Sequence, residues 1–265
     1  MGDGGSTSDG GSTSDGGSTS DGGSTSDGGS TSDGGGTSDG GSTNELVEVT
    51  WRGDVAVVQM RHGENRFNRR SVGALREAYG DLAGRDGPLA VVTTGADRFF
   101  SNGLDLDWMA SEGAAAAAGF VDEVHALLGQ VLSLPAVTVA AVNGHAFAAG
   151  AMLAATHDWI VMREDRGYWC IPEVDLGLPL TPAMYAALAS RLPKRTLHEA
   201  SLDGRRYTAA DAVAAGIADE AAPEAEVVDR AVAIATPLAG KDRRVIATHK
   251  QLLHAEALAV IAGGS

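Results

Sequence analysis

The chain has 265 residues, with 20 Lys and Arg against 35 Asp and Glu and a net charge of −15. That balance argues against nucleic acid as a partner, because phosphate binding is carried by Lys and Arg clusters. A single cysteine, Cys170, excludes an internal disulfide and fits a reducing compartment.

The first 44 residues repeat DGGSTS with a period of six, placing Asp at 3, 9, 15, 21, 27, 33 and 39. No apolar residue follows Met1 in this stretch, so it cannot bury enough surface to offset its ordering entropy. It reads as a disordered, self-repelling tether. A calcium-binding Gly/Asp repeat would need an apolar position in each turn to stack, and none is present. No basic segment followed by an apolar stretch opens the chain, so no secretory signal is read and a cytoplasmic location is expected. No apolar run reaches membrane-spanning length. Residues 45–265 are long enough for one domain with a sizeable core.

That part opens with two strand-like runs, "LVEVTWRG" and "DVAVVQM", joined by the turn residues Arg52-Gly53-Asp54. "RRSVGALREAYGDLAGR" puts Val72, Leu75, Tyr79 and Leu82 on one helical face. "PLAVVTTG" is an apolar strand, and "FVDEVHALLGQVLSL" spaces Phe120, Val124, Leu127, Leu128 and Val131 as a helix that Pro135 closes. The strands "VTVAAVNG" and "WIVM" follow, separated by "HAFAAGAMLAATHD". The second half becomes helical. Thr181 is placed to cap "PAMYAALASRL", Thr208 and Asp211 are spaced as a capping box, and Gly216 is placed to end that helix. "EAEVVDRAVAIATPLAG" and "DRRVIATHKQLLHAEALAVIA" complete the set. Apolar strands alternating with amphipathic helices mean an α/β fold with a buried sheet. Neither a dinucleotide nor a phosphate-loop signature is present.

Three segments leave a strand for a turn and a helix. "DRFFSNGLDLDWM" and "HAFAAGAML" offer small residues and backbone rather than nucleophiles. Two free N–H groups from such segments, aimed at one point, make an oxyanion hole. In "YWCIPEVDLGLPLTP", Glu173 and Asp175 are acids among apolar residues, where desolvation raises a carboxyl pKa towards the range useful for proton transfer. Asp175 is the rival acid. His145 reads as a structural or rim residue and Asp158 as a structural hydrogen-bond acceptor. Cys170 lacks any nucleophile pattern, and the scattered His residues show no metal spacing.

The ordered set "GENRFN", "FFSNGLDL", "VNGHAFAAGAMLAATHDWIVMRED", "IPEVDLGL" and "GRRYTAADAVAAGIADE" resembles the crotonase (enoyl-CoA hydratase/isomerase) superfamily. Within it, the motifs look most like Δ3,Δ2-enoyl-CoA isomerases, particularly the plant peroxisomal kind. The resemblance implies a crotonase-like (ClpP/crotonase) spiral of ββα units with a helical C-terminal part. It implies a CoA-thioester substrate, no further cofactor, no membrane partner and a homo-oligomer, trimer or hexamer. Residue by residue, it implies that the Leu104 and Ala149 amides hold the thioester oxygen and that Glu173 is the catalytic acid. Arg66, Asn102 and Asp105 would lie near CoA, with Gly103, Ala148, Gly150 and Met152 lining the site. Hydratases of the family carry a second Glu at the position of Met152. With one acid, the expected reaction is proton shuttling from C2 to C4 of a 3-enoyl-CoA. Hydration, thioester hydrolysis, decarboxylation and a non-catalytic CoA-binding role remain the alternatives.

Overall fold

The computed structural model describes Met1 and residues 45–263. The tether reading of the first 44 residues falls, Met1 apart, outside the described residues.

The first two strands, β1 (Val47–Arg52) and β2 (Val55–Met60), form an antiparallel hairpin with Val47 opposite Met60 and Arg52 opposite Val55. Helix α1 (Arg69–Gly84) buries Val72, Leu75, Tyr79 and Leu82, as its periodicity requires. Its start carries a cap not read from the sequence. The Asn68 side chain accepts the Ser71 N–H at 3.1 Å, and the Ser71 hydroxyl accepts the Asn68 N–H at 3.0 Å.

From there a unit repeats. Strand β3 (Ala90–Thr94) leads to short β4 (Phe99–Ser101), then to α2 (Leu106–Glu112) and α3 (Ala114–Leu132). Strand β5 (Val137–Val142) leads to β6 (His145–Phe147) and α4 (Ala149–Ala155). Strand β7 (Trp159–Arg163) leads to β8 (Trp169–Cys170) and α5 (Glu173–Leu176). Helices α6 (Pro182–Ala189), α7 (Lys194–Asp203) and α8 (Ala209–Ala214) follow, then β9 (Glu220–Ala222) and α9 (Val227–Ala235). The chain of described residues ends in α10 (Arg243–Leu253) and α11 (Ala255–Ala262).

The five longer strands and short β9 make a six-stranded sheet in the order β1-β2-β3-β5-β7-β9, parallel from β2 onward. The short second strands of the three units make their own parallel sheet, β4-β6-β8. One face of the large sheet, through Val57, Val92, Val139 and Val161, packs on Ala231 and Ala235 of α9. The other, through Ala56, Val58, Val91, Ala140 and Met162, packs into the main core with α1, α3 and α4. Burial on both faces explains why these strands read as unbroken apolar runs.

The corner between the sheets is pinned by Asn143. Its Oδ1 accepts the Gly95 N–H at 2.9 Å and its Nδ2 donates to the Asp97 carbonyl at 3.2 Å. On the opposite side, Lys250 of α10 is buried. Its Nζ donates to Asp158 Oδ2 at 2.9 Å and to the Ala136 carbonyl at 3.2 Å. Asp158 Oδ2 also accepts the Thr138 N–H and hydroxyl at 2.8 and 2.9 Å, the structural role expected of it.

Three expectations change. Helix α3 begins at Ala114 rather than at Phe120, because the alanine run before Phe120 has the highest helix propensity of any residue type. The last apolar run divides at His254 into two helices, the dividing residue having φ −110 and ψ 18. Strands β6, β8 and β9 and helix α7 are additions to the elements read from the sequence. The strands have two or three residues each, too few for a period to show.

Candidate functional site

The turns that follow β4 and β6 lie against each other. A Cβ on Gly150 would stand 2.5 Å from the Ser101 carbonyl oxygen, so only glycine lets the start of α4 approach this closely. Gly103, at φ 81, is as tightly placed. A Cβ there would lie 2.8 Å from the Ala148 methyl and 3.4 Å from the Ala149 nitrogen. Ser101 is fully buried and fixes the first turn, donating to the Asn65 carbonyl at 2.7 Å and accepting the Gly103 N–H at 3.2 Å.

The segment before α1 runs beside this turn. Phe67 N–H donates to the Gly103 carbonyl at 2.7 Å, and Asp105 N–H donates to the Phe67 carbonyl at 2.9 Å. The Leu104 peptide between them therefore faces away from residue 67, and its N–H has no hydrogen-bond partner among the described residues. The Ala149 N–H, first in α4, has none either. Two unengaged donors thus stand on adjoining turns.

Glu173 follows β8, and β8 is bonded to the start of α4. Ala148 N–H donates to the Cys170 carbonyl at 3.0 Å, and the Trp169 indole N–H donates to the Ala151 carbonyl at 3.0 Å. Those two bonds tie the start of α4 to the strand that ends three residues before Glu173. The Glu173 side chain is buried, and its Oε2 has no hydrogen-bond partner. Burial pushes its pKa from 4.5 up to about 7, with its own backbone N–H the one group drawing it down. Asp175, the rival acid, is exposed and lies against Gly204. Met152 is fully buried in the main core, so an apolar side chain fills the position three residues after Ala149.

Arg66 and Asn102 meet at Glu64, which the sequence reading does not single out. Asn102 Nδ2 donates to Glu64 Oε2 at 2.9 Å, and Arg66 Nε and Nη2 reach the same oxygen at 2.8 and 2.7 Å. The Asn102 bond first, and then Arg66, hold the Glu64 carboxyl below its ordinary pKa. Asp105 works within its own helix, where its carboxylate accepts the Trp108 N–H at 3.1 Å and caps α2. Asp105→Ala is therefore expected to lower stability by about 1 kcal/mol, measured by urea denaturation. If Asp105 only caps, KM for acyl-CoA stays within a factor of about two; a larger rise would give it a substrate contact as well.

His145 sits among the rings of Phe99, Phe147 and Tyr168, with centroids 5.2 to 5.7 Å away. Burial, then the nearby Arg166, Arg206 and Arg98, lower its pKa, which suits a neutral packing residue. Cys170 is buried, and burial pushes its thiol up to about 11, so it is no nucleophile at neutral pH. Asn65, Ser101 and Trp169 escape a reading of the sequence because they act through backbone contacts across 18 to 36 residues of chain. An open cavity of about 580 Å³ beside Arg85, Pro135 and Lys241 holds none of the residues named for the site. No described helix is long and apolar enough to cross a membrane.

The family model for enoyl-CoA hydratase/isomerase matches residues 51–261. Enoyl-CoA delta isomerase 3 of Arabidopsis thaliana is 35% identical over 219 residues, covering 77% of this chain and 90% of that protein. Enoyl-CoA delta isomerase 2, peroxisomal, of the same plant is 32% identical, covering 72% and 83%. The carnitinyl-CoA dehydratase of Salmonella paratyphi A is 32% identical, covering 80% and 81%. Among solved structures, a probable enoyl-CoA hydratase of Mycobacterium tuberculosis superimposes with a TM-score of 0.77 at 30% identity, covering 83% of this chain and 92% of that one. The paired strands, the two sheets and the helical C-terminal part are the crotonase fold, and the chain is an enzyme of the enoyl-CoA hydratase/isomerase family.

Proposed function

We propose that the enzyme converts a 3-enoyl-CoA to its conjugated 2-enoyl isomer, with Glu173 as the only proton carrier. The observation that carries this is the carboxyl of Glu173, the one buried, unpartnered carboxyl among the described residues, with its pKa near 7. The Glu173 carboxylate removes a proton from C2 of the substrate. The C2–H electron pair moves into a dienolate whose charge rests on the thioester oxygen, and the protonated Glu173 returns its proton to C4. The double bond then lies between C2 and C3. The free N–H groups of Leu104 and Ala149 are the donors for that oxygen, and the small residues Gly103, Ala148 and Gly150 let it approach the backbone. Arg66, Asn102 and Asp105 are assigned to the CoA end, and no cofactor is needed beyond the CoA of the substrate.

Hydration would need one group to activate water and another to manage the proton delivered to carbon. One carboxyl, with methionine rather than a second acid at position 152, serves that poorly. The names of the two Arabidopsis thaliana relatives support isomerisation. A cytoplasmic location is part of the same proposal, although one of those relatives is named peroxisomal. The test is conversion of a 3-enoyl-CoA followed by the absorbance of the conjugated product, with hydration assayed in the same sample. Isomerisation without hydration is expected. No isomerisation by a chain that still binds acyl-CoA would sink the reading.

A further inference from the structure

Three non-glycine residues among those described have positive φ: Asn65, Asp97 and Ala148. Asn and Asp enter that region readily, through local hydrogen bonds of their short side chains. Alanine has no such compensation. Ala148 also has ψ −125, outside the left-handed helical region and in territory that glycine alone occupies easily. Its peptide groups are held on both sides, by the N–H donated to the Cys170 carbonyl at 3.0 Å and by the carbonyl accepting the Met152 N–H at 3.0 Å.

A glycine at 148 would relieve the strain, and the chain uses glycine two residues later, where Ser101 leaves no room for a Cβ. What the alanine adds is one methyl group, and that methyl is seated against Gly103. Gly103 immediately precedes the free Leu104 amide, and Ala148 immediately precedes the free Ala149 amide. The contact is therefore a spacer between the two donors.

We propose that Ala148 is a positioning residue whose methyl, braced on Gly103 in a strained backbone, sets the separation of the Leu104 and Ala149 N–H groups. The inference rests on the reading of those amides as the donors to the thioester oxygen. Closing the gap between the two turns by the width of a methyl would move one donor off its line to that oxygen. A displacement of that size weakens an enolate-binding site far more than a site for the neutral thioester.

The test is Ala148→Gly in the full chain, with two ligands measured by titration alongside turnover. Butanoyl-CoA probes the neutral thioester, and acetoacetyl-CoA, a 3-oxoacyl thioester that ionises to an enolate, probes the charged one. The expected result is unchanged butanoyl-CoA affinity, with acetoacetyl-CoA affinity and kcat both lowered roughly tenfold. The pH at half-maximal rate stays in place, and the thermal midpoint is equal or higher because strain is released. Ala148→Ser, which keeps the Cβ, restores most of the loss. Unchanged acetoacetyl-CoA affinity in Ala148→Gly would overturn the proposal. So would equal weakening of both ligands with a lower thermal midpoint, the behaviour of a methyl that only fills space. A wild-type chain that binds acetoacetyl-CoA but does not isomerise would overturn the functional reading alone, and the variant's ligand affinities would still decide the spacing.

Discussion

Glu173→Gln is expected to lower kcat for isomerisation roughly a thousandfold while leaving acyl-CoA affinity nearly unchanged. Gln keeps the shape of the side chain and cannot take a proton from C2. In the wild type, kcat/KM should rise with pH through about 7 and level off above it, since the carboxylate must be free to act as base. The same substitution has a sign-definite effect on stability. The folded-state pKa of Glu173 is raised, so the stability it allows is fully present below pH 4.5 and is lost as pH rises through about 7. Above that pH the wild type holds a buried charge that Gln lacks. The interval from 4.5 to about 7, at about 1.4 kcal/mol per pH unit, bounds the gain of the variant at about 3 kcal/mol at pH 8. At pH 4 the two proteins should unfold alike. Urea titrations at both pH values, with kinetics alongside, check the pair. A Gln variant as active as wild type would move the chemistry to another group.

Lys250→Met should be the most destabilising single change outside the site. Lys250 is buried, burial lowers its pKa, and Asp158 works against that. Removing the ammonium leaves Asp158 Oδ2 with Thr138 alone, and leaves the Ala136 carbonyl without this donor. Loss of one member of such a pair costs about 3 kcal/mol. The chain should unfold at lower urea, with kcat per folded molecule unchanged. Adding Asp158→Leu removes the stranded charge and should recover part of the loss, as a double-mutant cycle would show. Equal stability of Lys250→Met and wild type would mean that water reaches and solvates Asp158.

How much of the fold and the site is legible in the sequence divides along physical lines. The five longer strands β1, β2, β3, β5 and β7 and the amphipathic faces of α1 and α3 can be read, because each shows a pattern within one segment. Thr181, Thr208 and Asp211 can be read as caps because capping is decided within four residues. The order of the site segments is visible through their likeness to a family. What cannot be read is made by pairing across the chain. Strand β6 has three residues and exists because β4 and β8 lie beside it. The backbone of Ala148 gives no sign in the sequence, since nothing about an alanine announces a positive φ. Glu64 stays hidden for a like reason, because its meaning comes from Asn102, 38 residues away.

The small sheet has a consequence for how the enzyme fails. Both free amides and Glu173 stand on chain that leaves β4, β6 and β8, strands of three, three and two residues. Strands that short hold few ladder bonds, and segments with few bonds open first under native conditions. The large sheet, buried on both faces, can stay closed while they do. Activity is therefore tied to the least cooperative part of the molecule. Heat or denaturant can silence the enzyme through a local opening of the corner, which closes again when conditions ease and leaves the bulk of the fold unmarked.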